Sequence, residues 1–369
     1  MKILQITRQF LPSIGGIESV VEGLSNALQN AGHEVEILTL KKIFTTEETA
    51  PDHSIVHGLR VSRLKHWGSK RYPVAPQVLK YVKNCDVLHI HAVDFFVDFL
   101  AWSQFLHRCP IILSTHGGIF HTSWLTRLKS AYFQTITRNS LKQAAAILCV
   151  SDRDYDLFSK IAPKEKLHLV RNGVDIGAYM KLTKKIIPGL ILGIGRVAEN
   201  KGIDRLIHAF AELRKTHPHA KLVWIGPDQD GRVSKLQKLA NDLGVAERIQ
   251  FVGQVDADRM QRMLENAHAF VCGSSYEGYG LSTIEAMSSA TVPVVTKVGI
   301  HPQIVEEGKS GYLVDGHPES LVRGLRTLLN LDASTLATMG ENARRASAKC
   351  SWDAVAPHYI NLYESVLAA

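Results

Sequence analysis

The stretch RNGVDIGAYMKLTKKIIPG, Arg171 to Gly189, is where the pattern of the chain breaks. Gly173, Gly177, Pro188 and Gly189 punctuate it, a lysine pair (Lys184, Lys185) lies inside it, and its apolar residues keep no period. Such a stretch reads as a linker. On its N-terminal side, apolar runs alternate with helical ones. KILQIT is followed by a helix from about Ile17, with Val20, Val21, Leu24 and Leu28 at helical spacing, and then by HEVEILTL, VLHIHA, PIILSTH and AAILCVS. On its C-terminal side the alternation restarts. LILGIGR, AKLVWIGP, IQFVG, AFVCGS and VPVVT are separated by helices expected from about Gly202, Val233 and Asp258. Strand–helix alternation of this kind predicts a parallel sheet with helices on both faces. The expected fold class is therefore α/β, with two Rossmann-like, doubly wound parallel-sheet domains facing across a cleft. In such sheets ligands sit at the carboxyl ends of the strands. The tail SWDAVAPHYINLYESVLAA reads as an amphipathic helix.

Composition fits this reading and narrows the function. The chain has 369 residues, enough for two ordinary domains, and 45% are hydrophobic. No apolar run reaches the ~18 residues that a membrane span needs. The start, MKILQITRQF, is a strand pattern rather than a signal peptide, so a cytoplasmic location is expected. Five scattered cysteines without a CxxC pair read as structural thiols. The net charge of +8 is uneven, with 21 Lys+Arg against 15 Asp+Glu in residues 1–175. Between Asp52 and Asp86 there is no acid, but there are Arg60, Arg63, Lys65, Lys70, Arg71, Lys80 and Lys83. Ile119 to Gln143 is also acid-free and carries Arg127, Lys129, Arg138 and Lys142 among Trp124, Leu125, Leu128, Tyr132 and Phe133. Such faces bind anionic lipid headgroups, bind nucleic acid, or are simply solvated. An anionic membrane surface is the partner expected here, and nucleic acid is not.

Four loops at strand ends are candidate sites. In RQFLPSIGGIES, Gly15 and Gly16 precede a helix and offer bare amides to an anion, unless they only serve packing. In STHGG, His116 ends a strand, where an imidazole can hydrogen-bond a bound hydroxyl or share a proton. In GIGRVAENKG, Gly193-x-Gly195-x-x-Ala198 matches the dinucleotide fingerprint, with Asp228 ending the next strand. Arg196 and Lys201 flank that loop, however, and two fixed cations suit a terminal diphosphate that departs as a leaving group. In SSYEGYGLSTIEAM, Glu277 and Glu285 are separated by seven residues, with Gly278 and Gly280 after the first. A helix beginning near Leu281 would place Glu277 in the preceding loop and Glu285 about one turn inside.

The early Gly-Gly loop, GRVAENKG and EGYGLSTIEAM together resemble the GT-B glycosyltransferases, specifically the large retaining family four, over nearly the whole chain. The start ITRQFLPSIGGIE is similar to bacterial exopolysaccharide α-mannosyltransferases that act on polyprenyl-diphosphate-linked acceptors. The resemblance implies an N-terminal acceptor-binding domain over 1–175 and a C-terminal nucleotide-sugar-binding domain over 176–351. It also implies that the helix from about 352 to 369 packs back on the first domain, with Asn172 and Gly173 at the hinge. Arg196 and Lys201 would bind the diphosphate, Glu285 the ribose hydroxyls and Glu277 the donor hexose. Gly278, Tyr279, Gly280 and Leu281 would present amides to sugar and phosphate. Val252 and Gly253 would line the base, His116 would lie near the donor sugar, and Gly16 would belong to the loop closing over phosphate and acceptor. The sequence departs from the family's usual pattern at Tyr279, at Ala290, and in GIHPQ, where Ile300 and Gln303 replace Gly and Glu.

The function expected is retaining transfer of a hexose, mannose from GDP-mannose, to a lipid-diphosphate-linked oligosaccharide at the cytoplasmic face of the inner membrane. Arg196, Lys201 and the helix near Leu281 would stand in for a metal, so no metal or cofactor is expected and the nucleotide sugar is a substrate. The alternatives are a UDP-sugar donor, a sugar-nucleotide epimerase or hydrolase on the same fold, or a non-catalytic lipid- or nucleic-acid-binding protein.

Overall fold

The computed structural model describes residues 1–70, 72–116, 131–228, 230–277 and 279–368. Gly278, Gly117, Gly118, Arg71 and the stretch from Ile119 that holds Trp124, Leu125, Arg127, Leu128 and Lys129 lie outside the described residues. The chain divides into two compact units. Unit 1 is Met1–Gly173 with Trp352–Ala369, and unit 2 is Val174–Ser351.

Unit 1 is built on an eight-stranded sheet. Its strands are β1 (Lys2–Ile6), β2 (Glu34–Leu40), β3 (His53–Val56), β4 (Leu59–Leu64), β7 (Val87–His91), β8 (Ile111–Ser114), β9 (Ala146–Cys149) and β10 (Leu167–Leu169), in the order β10-β9-β8-β7-β1-β2-β4-β3. All pairs are parallel except β3 with β4. A separate hairpin joins β5 (Trp67–Ser69) to β6 (Tyr72–Val74). The central strands β7 and β8 are buried along their whole length, as expected where helices cover both faces of a parallel sheet. One such helix, Gly16–Asn30, buries Val20, Val21, Leu24 and Leu28.

The last helix, Trp352–Ala368, packs on unit 1 through Trp352, Val355, Tyr359 and Tyr363. Trp352 lies where Gly23 and Gly173 leave room. A Cβ on either glycine would stand 1.9 or 2.3 Å from the indole.

Unit 2 carries a six-stranded, all-parallel sheet. It comprises β11 (Leu190–Ile194), β12 (Lys221–Ile225), β13 (Ile249–Phe251), β14 (Ala269–Cys272), β15 (Val292–Thr296) and β16 (Tyr312–Val314), ordered β13-β12-β11-β14-β15-β16. The order reverses at β11, so the loops after β11 and β14 leave at the switch point where doubly wound sheets take ligands. Leu206, Phe210, Trp224, Val271, Val294 and Leu325 form part of its core.

Two cations of the acid-free segment after Asp52, Arg60 and Arg63, are engaged within unit 1. Arg60 and Arg63 sit on β4. Arg63 is 5% exposed, and its guanidinium donates to Ser54 Oγ (2.6 Å) and to the Leu11 carbonyl (2.8 Å). Arg60 pairs with Glu34. Lys65, Lys80 and Lys83 remain exposed. Among the expected membrane-facing aromatics, Phe133 is buried and the Tyr132 hydroxyl donates to the buried Asp98. No helix among the described residues is long and apolar enough to cross a membrane.

Candidate active site

Unit 2 gathers several of the singled-out residues at the carboxyl ends of β11 and β14. Gly195 follows β11, and its amide donates to the Ile225 carbonyl at 2.8 Å. Arg196 follows and is exposed. A short 3-10 turn, Glu199–Lys201, then leads into the helix Ile203–Leu213. Gly202, at φ 63°, joins them, and a Cβ there would lie 2.5 Å from the Gly273 carbonyl. Only glycine combines that backbone angle with that approach.

The loop after β14 is bound to this turn along its length. Ser275 N donates to Asn200 O at 2.8 Å, Asn200 Nδ2 to Tyr276 O at 3.0 Å, and Arg205 to Gly273 O at 3.0 Å. The result is that Lys201 Nζ and Glu277 Oε1 meet at 2.6 Å, with side chains only 12% and 10% exposed. Ser274 Oγ donates to the same oxygen at 2.6 Å. Burial alone would raise the Glu277 carboxyl, but the Lys201 ammonium and the two hydrogen bonds outweigh it and hold the group below its ordinary range.

Three residues on, Gly280 opens the helix Leu281–Ser288 at φ 105°. The loop after β15 supports this entry. Ile300 N donates to Tyr279 O at 3.1 Å, and the buried His301 bridges Thr283 Oγ1 and the Thr296 carbonyl, both at 2.8 Å. Glu285 lies one turn inside the helix and keeps part of its surface. Desolvation pushes its carboxyl up to about 7. The two glutamates are thus in opposite electrostatic states, one held charged by lysine and one titrating near neutrality.

Val252 and Gly253 follow β13. Val252 N donates to Trp224 O at 3.0 Å, and Gly253 O accepts from Gly226 N at 2.8 Å. Gly226 in turn presses on Gly195, whose carbonyl oxygen would be 2.1 Å from a Cβ at 226. A continuous chain of backbone contacts therefore links Val252–Gly253 to the Arg196–Lys201 turn. Asp228 is engaged elsewhere. Its carboxylate accepts from the amides of Arg232 (2.8 Å) and Val233 (3.0 Å) at the start of the helix Val233–Asp242.

In unit 1, Gly16 is the first residue of the helix Gly16–Asn30, one position before the expected start near Ile17. The Glu18 carboxylate folds over the turn, 2.5 Å from where a Gly15 Cβ would stand, so the chain supplies an anion of its own at this helix start. His116, at the end of β8, has φ 48° and meets His91 Nδ1 through its Nε2 at 2.9 Å. Burial pushes the His116 imidazole down to about 4 and His91 well below its ordinary value. Thr7, Arg8, Glu18, Phe44, Lys70 and His91 line a cavity of about 160 Å³. A wider concavity of about 700 Å³, beside Lys2, Glu34, Arg60 and Lys80, contains none of the candidate site residues.

Ser274, Asn200, His301 and Glu18 join the candidate sites without a local sequence signal of their own. His89 and His91 carried a usable signal, since two histidines at alternate positions share one face of a strand.

Comparison with known proteins follows the same lines. A family model described as Glycosyltransferase Family 4 matches residues 14–177, and one described as Glycosyl transferases group 1 matches residues 181–346. The GDP-mannose:cellobiosyl-diphosphopolyprenol alpha-mannosyltransferase of Xanthomonas campestris is 32% identical over 100% of this chain and 97% of its own length. The protein of the same name from Komagataeibacter xylinus is 34% identical over 100% and 94%. Sucrose-phosphate synthase from Thermosynechococcus elongatus shares the fold, with a TM-score of 0.77 at 20% identity, covering 100% of this chain and 99% of that one.

Proposed function

This chain belongs to the family 4 and group 1 glycosyltransferases of GT-B fold, and on that premise we propose that it transfers mannose from GDP-mannose, with retention, to a glycan carried on a polyprenyl diphosphate. The observation that carries the reading is the Lys201–Glu277 pair, built by two stitched loops at the switch point of the unit 2 sheet. The names of the two full-length relatives supply the donor and the cellobiosyl-diphosphopolyprenol acceptor class.

Each residue then has a role. Arg196 and Lys201, with the start of the helix Leu281–Ser288, neutralise the diphosphate as it departs. Glu277 fixes the Lys201 ammonium and accepts from the transferred hexose. Tyr279, Gly280 and Leu281 present backbone to sugar and phosphate, and Gly278 is assigned with them. Glu285 accepts from the ribose hydroxyls, and Val252 and Gly253 border the base. In unit 1, His116 accepts from a hydroxyl of the donor sugar, and Gly16 belongs to the acceptor and phosphate loop. The departing phosphate takes the acceptor's proton, so no side chain needs to form a covalent intermediate. Residues 1–175 serve the acceptor and 176–351 the donor. The nucleotide sugar enters as substrate, and the enzyme works peripherally on an anionic, cytoplasmic membrane face through exposed lysines, without nucleic acid.

A thermal-shift panel of GDP, UDP and ADP, each with its sugars, tests the donor assignment, because a ligand of the native state raises the apparent melting temperature. GDP and GDP-mannose should give the largest shifts. A larger shift with UDP and its sugars would move the assignment to a UDP-sugar donor.

A further inference from the structure

Behind His116 lies a buried line of polar side chains. His91 is 1% exposed and Gln5 is 0% exposed. His91 Nε2 stands 2.6 Å from Gln5 Oε1, and His91 Nδ1 stands 2.9 Å from His116 Nε2. The rings of His91 and His116 stack at 5.2 Å. A second line runs beside it, in which His89 Nε2 meets Ser114 Oγ at 2.8 Å and His89 Nδ1 meets the Tyr363 hydroxyl at 2.7 Å.

The first line has a direction. A neutral imidazole has one N–H and one lone pair, so the partner of one nitrogen decides the state of the other. In the amide orientation of the structure, which places Gln5 Oε1 against the ring and leaves Gln5 Nε2 without a hydrogen-bond partner, the oxygen can only accept, so His91 carries its proton on Nε2. The lone pair of His91 is then on Nδ1, facing His116. His116 must supply the proton of that contact from its own Nε2, which leaves its Nδ1 as a lone pair. Burial disfavours the charged form of both rings.

We propose that Gln5 and His91 are positioning residues that hold His116 in the Nε2–H tautomer, so that its Nδ1 serves as a hydrogen-bond acceptor for a hydroxyl group of the sugar substrate. The assignment rests on the reading of His116 as a sugar contact for its functional part, while the tautomer itself is independent of that reading. It gives His116 a polarity. The ring accepts a hydroxyl proton and does not donate one, and it keeps that polarity across the neutral range. The strand position of Gln5 explains how such a setting survives, because β1 and β7 pair directly and fix Gln5 opposite His89, on the face next to His91.

The test is histidine side-chain nitrogen NMR on the ¹⁵N-labelled full chain at pH 7, with the His116 signals assigned by their loss in His116→Asn. The expected result is a neutral His116 and a neutral His91, both protonated on Nε2. Gln5→Met, which keeps the volume and removes the amide, should shift His116 to a mixture of tautomers. A His116 protonated on Nδ1 or on both nitrogens in the wild-type protein overturns the proposal, and so does an unchanged tautomer in a folded Gln5→Met protein. If Gln5→Met does not fold, the wild-type spectrum decides alone. Kinetics separate the two layers. Gln5→Met should lower kcat for transfer by about tenfold or more with little change in the donor KM. Wild-type transfer by His116→Ala would remove the sugar contact while leaving the tautomer to the spectrum.

Discussion

Lys201 and Glu277 each depend on the other, and the consequences can be measured. Removing one member of a buried ion pair leaves the other charged and desolvated, at a cost of about 3–5 kcal/mol. Lys201→Ala should abolish transfer, and it should also change how stability varies with pH. In the wild-type protein the Glu277 carboxyl lies below its ordinary value. Its contribution is therefore present above the unfolded-state value of about 4.3 and is lost as pH falls through the lower folded value. Without Lys201, burial dominates and the carboxyl rises. The deficit of the variant should then be largest at neutral pH and shrink in acid. Melting temperatures of both proteins from pH 4 to 8 check this, and a deficit that does not change with pH would remove the ion-pair role.

Glu285 shows the opposite sign. Its folded value of about 7 exceeds the unfolded one, so its charged form costs stability. That cost is absent in acid, grows as pH rises above about 4.3, and is complete above 7. Glu285→Gln should therefore melt higher than the wild-type protein at pH 8 without ligand, yet bind GDP less well. Glu285→Ala should weaken GDP binding by roughly 1–3 kcal/mol, the scale of hydrogen bonds to a charged group. Ribose hydroxyls favour the charged carboxylate, so GDP affinity of the wild-type protein should rise with pH through about 7 beyond the change seen in Glu285→Gln. Calorimetric titration of both proteins from pH 5.5 to 8.5 reads the difference, and parallel curves would remove the ribose assignment.

At the scale of elements, the contact between the last helix and the first depends on the missing side chain of Gly23. Ala normally stabilises a helix interior by about 1 kcal/mol relative to Gly. At Gly23 that gain meets a Cβ position 1.9 Å from Trp352 Nε1. Overpacking of this kind costs about 1–3 kcal/mol, so Gly23→Ala should lower the melting temperature despite its better propensity. A higher melting temperature would mean that Trp352 moves aside freely.

The elements also show how far the sequence could be read. The two parallel sheets follow from the alternation of apolar runs with helical periods, and the Arg171–Gly189 stretch marks where one series ends. LRVSRL carries no clear strand signal because two arginines lie within it, and burial of Arg63 depends on carbonyls from Leu11 and Pro51 that no local pattern reveals. In the candidate site, Lys201 and Glu277 stand out as unusual loop residues. Their pairing spans 76 positions and exists only because Asn200 and Arg205 tie the two loops together. Ser274 carries no signal of its own, since a serine near a strand end is ordinary. His91 was legible in part from its alternation with His89, whereas its link to Gln5 needs the neighbouring strand.

For the whole molecule, the charge excess has to be assigned again. Arg63 is internal and Arg60 is paired, so among the described residues of the Asp52–Asp86 stretch a membrane-facing surface would rest on Lys65, Lys80 and Lys83. Lysines near an anionic surface contribute about 1 kcal/mol each. Changing these three to Gln should reduce sedimentation with phosphatidylglycerol vesicles at low salt, with transfer to a short-chain, detergent-free acceptor unchanged. Equal sedimentation of the two proteins would leave the lysines as a solvated face.

The central claim concerns the transferred sugar and its acceptor. Purified protein should be incubated with radiolabelled GDP-mannose and a cellobiosyl-diphosphate lipid, and the organic-phase product digested with an α-mannosidase. The account predicts label in the lipid phase that α-mannosidase releases, and none with Lys201→Ala. Release of free mannose with no lipid-phase label, or equal labelling by the two proteins, would contradict it.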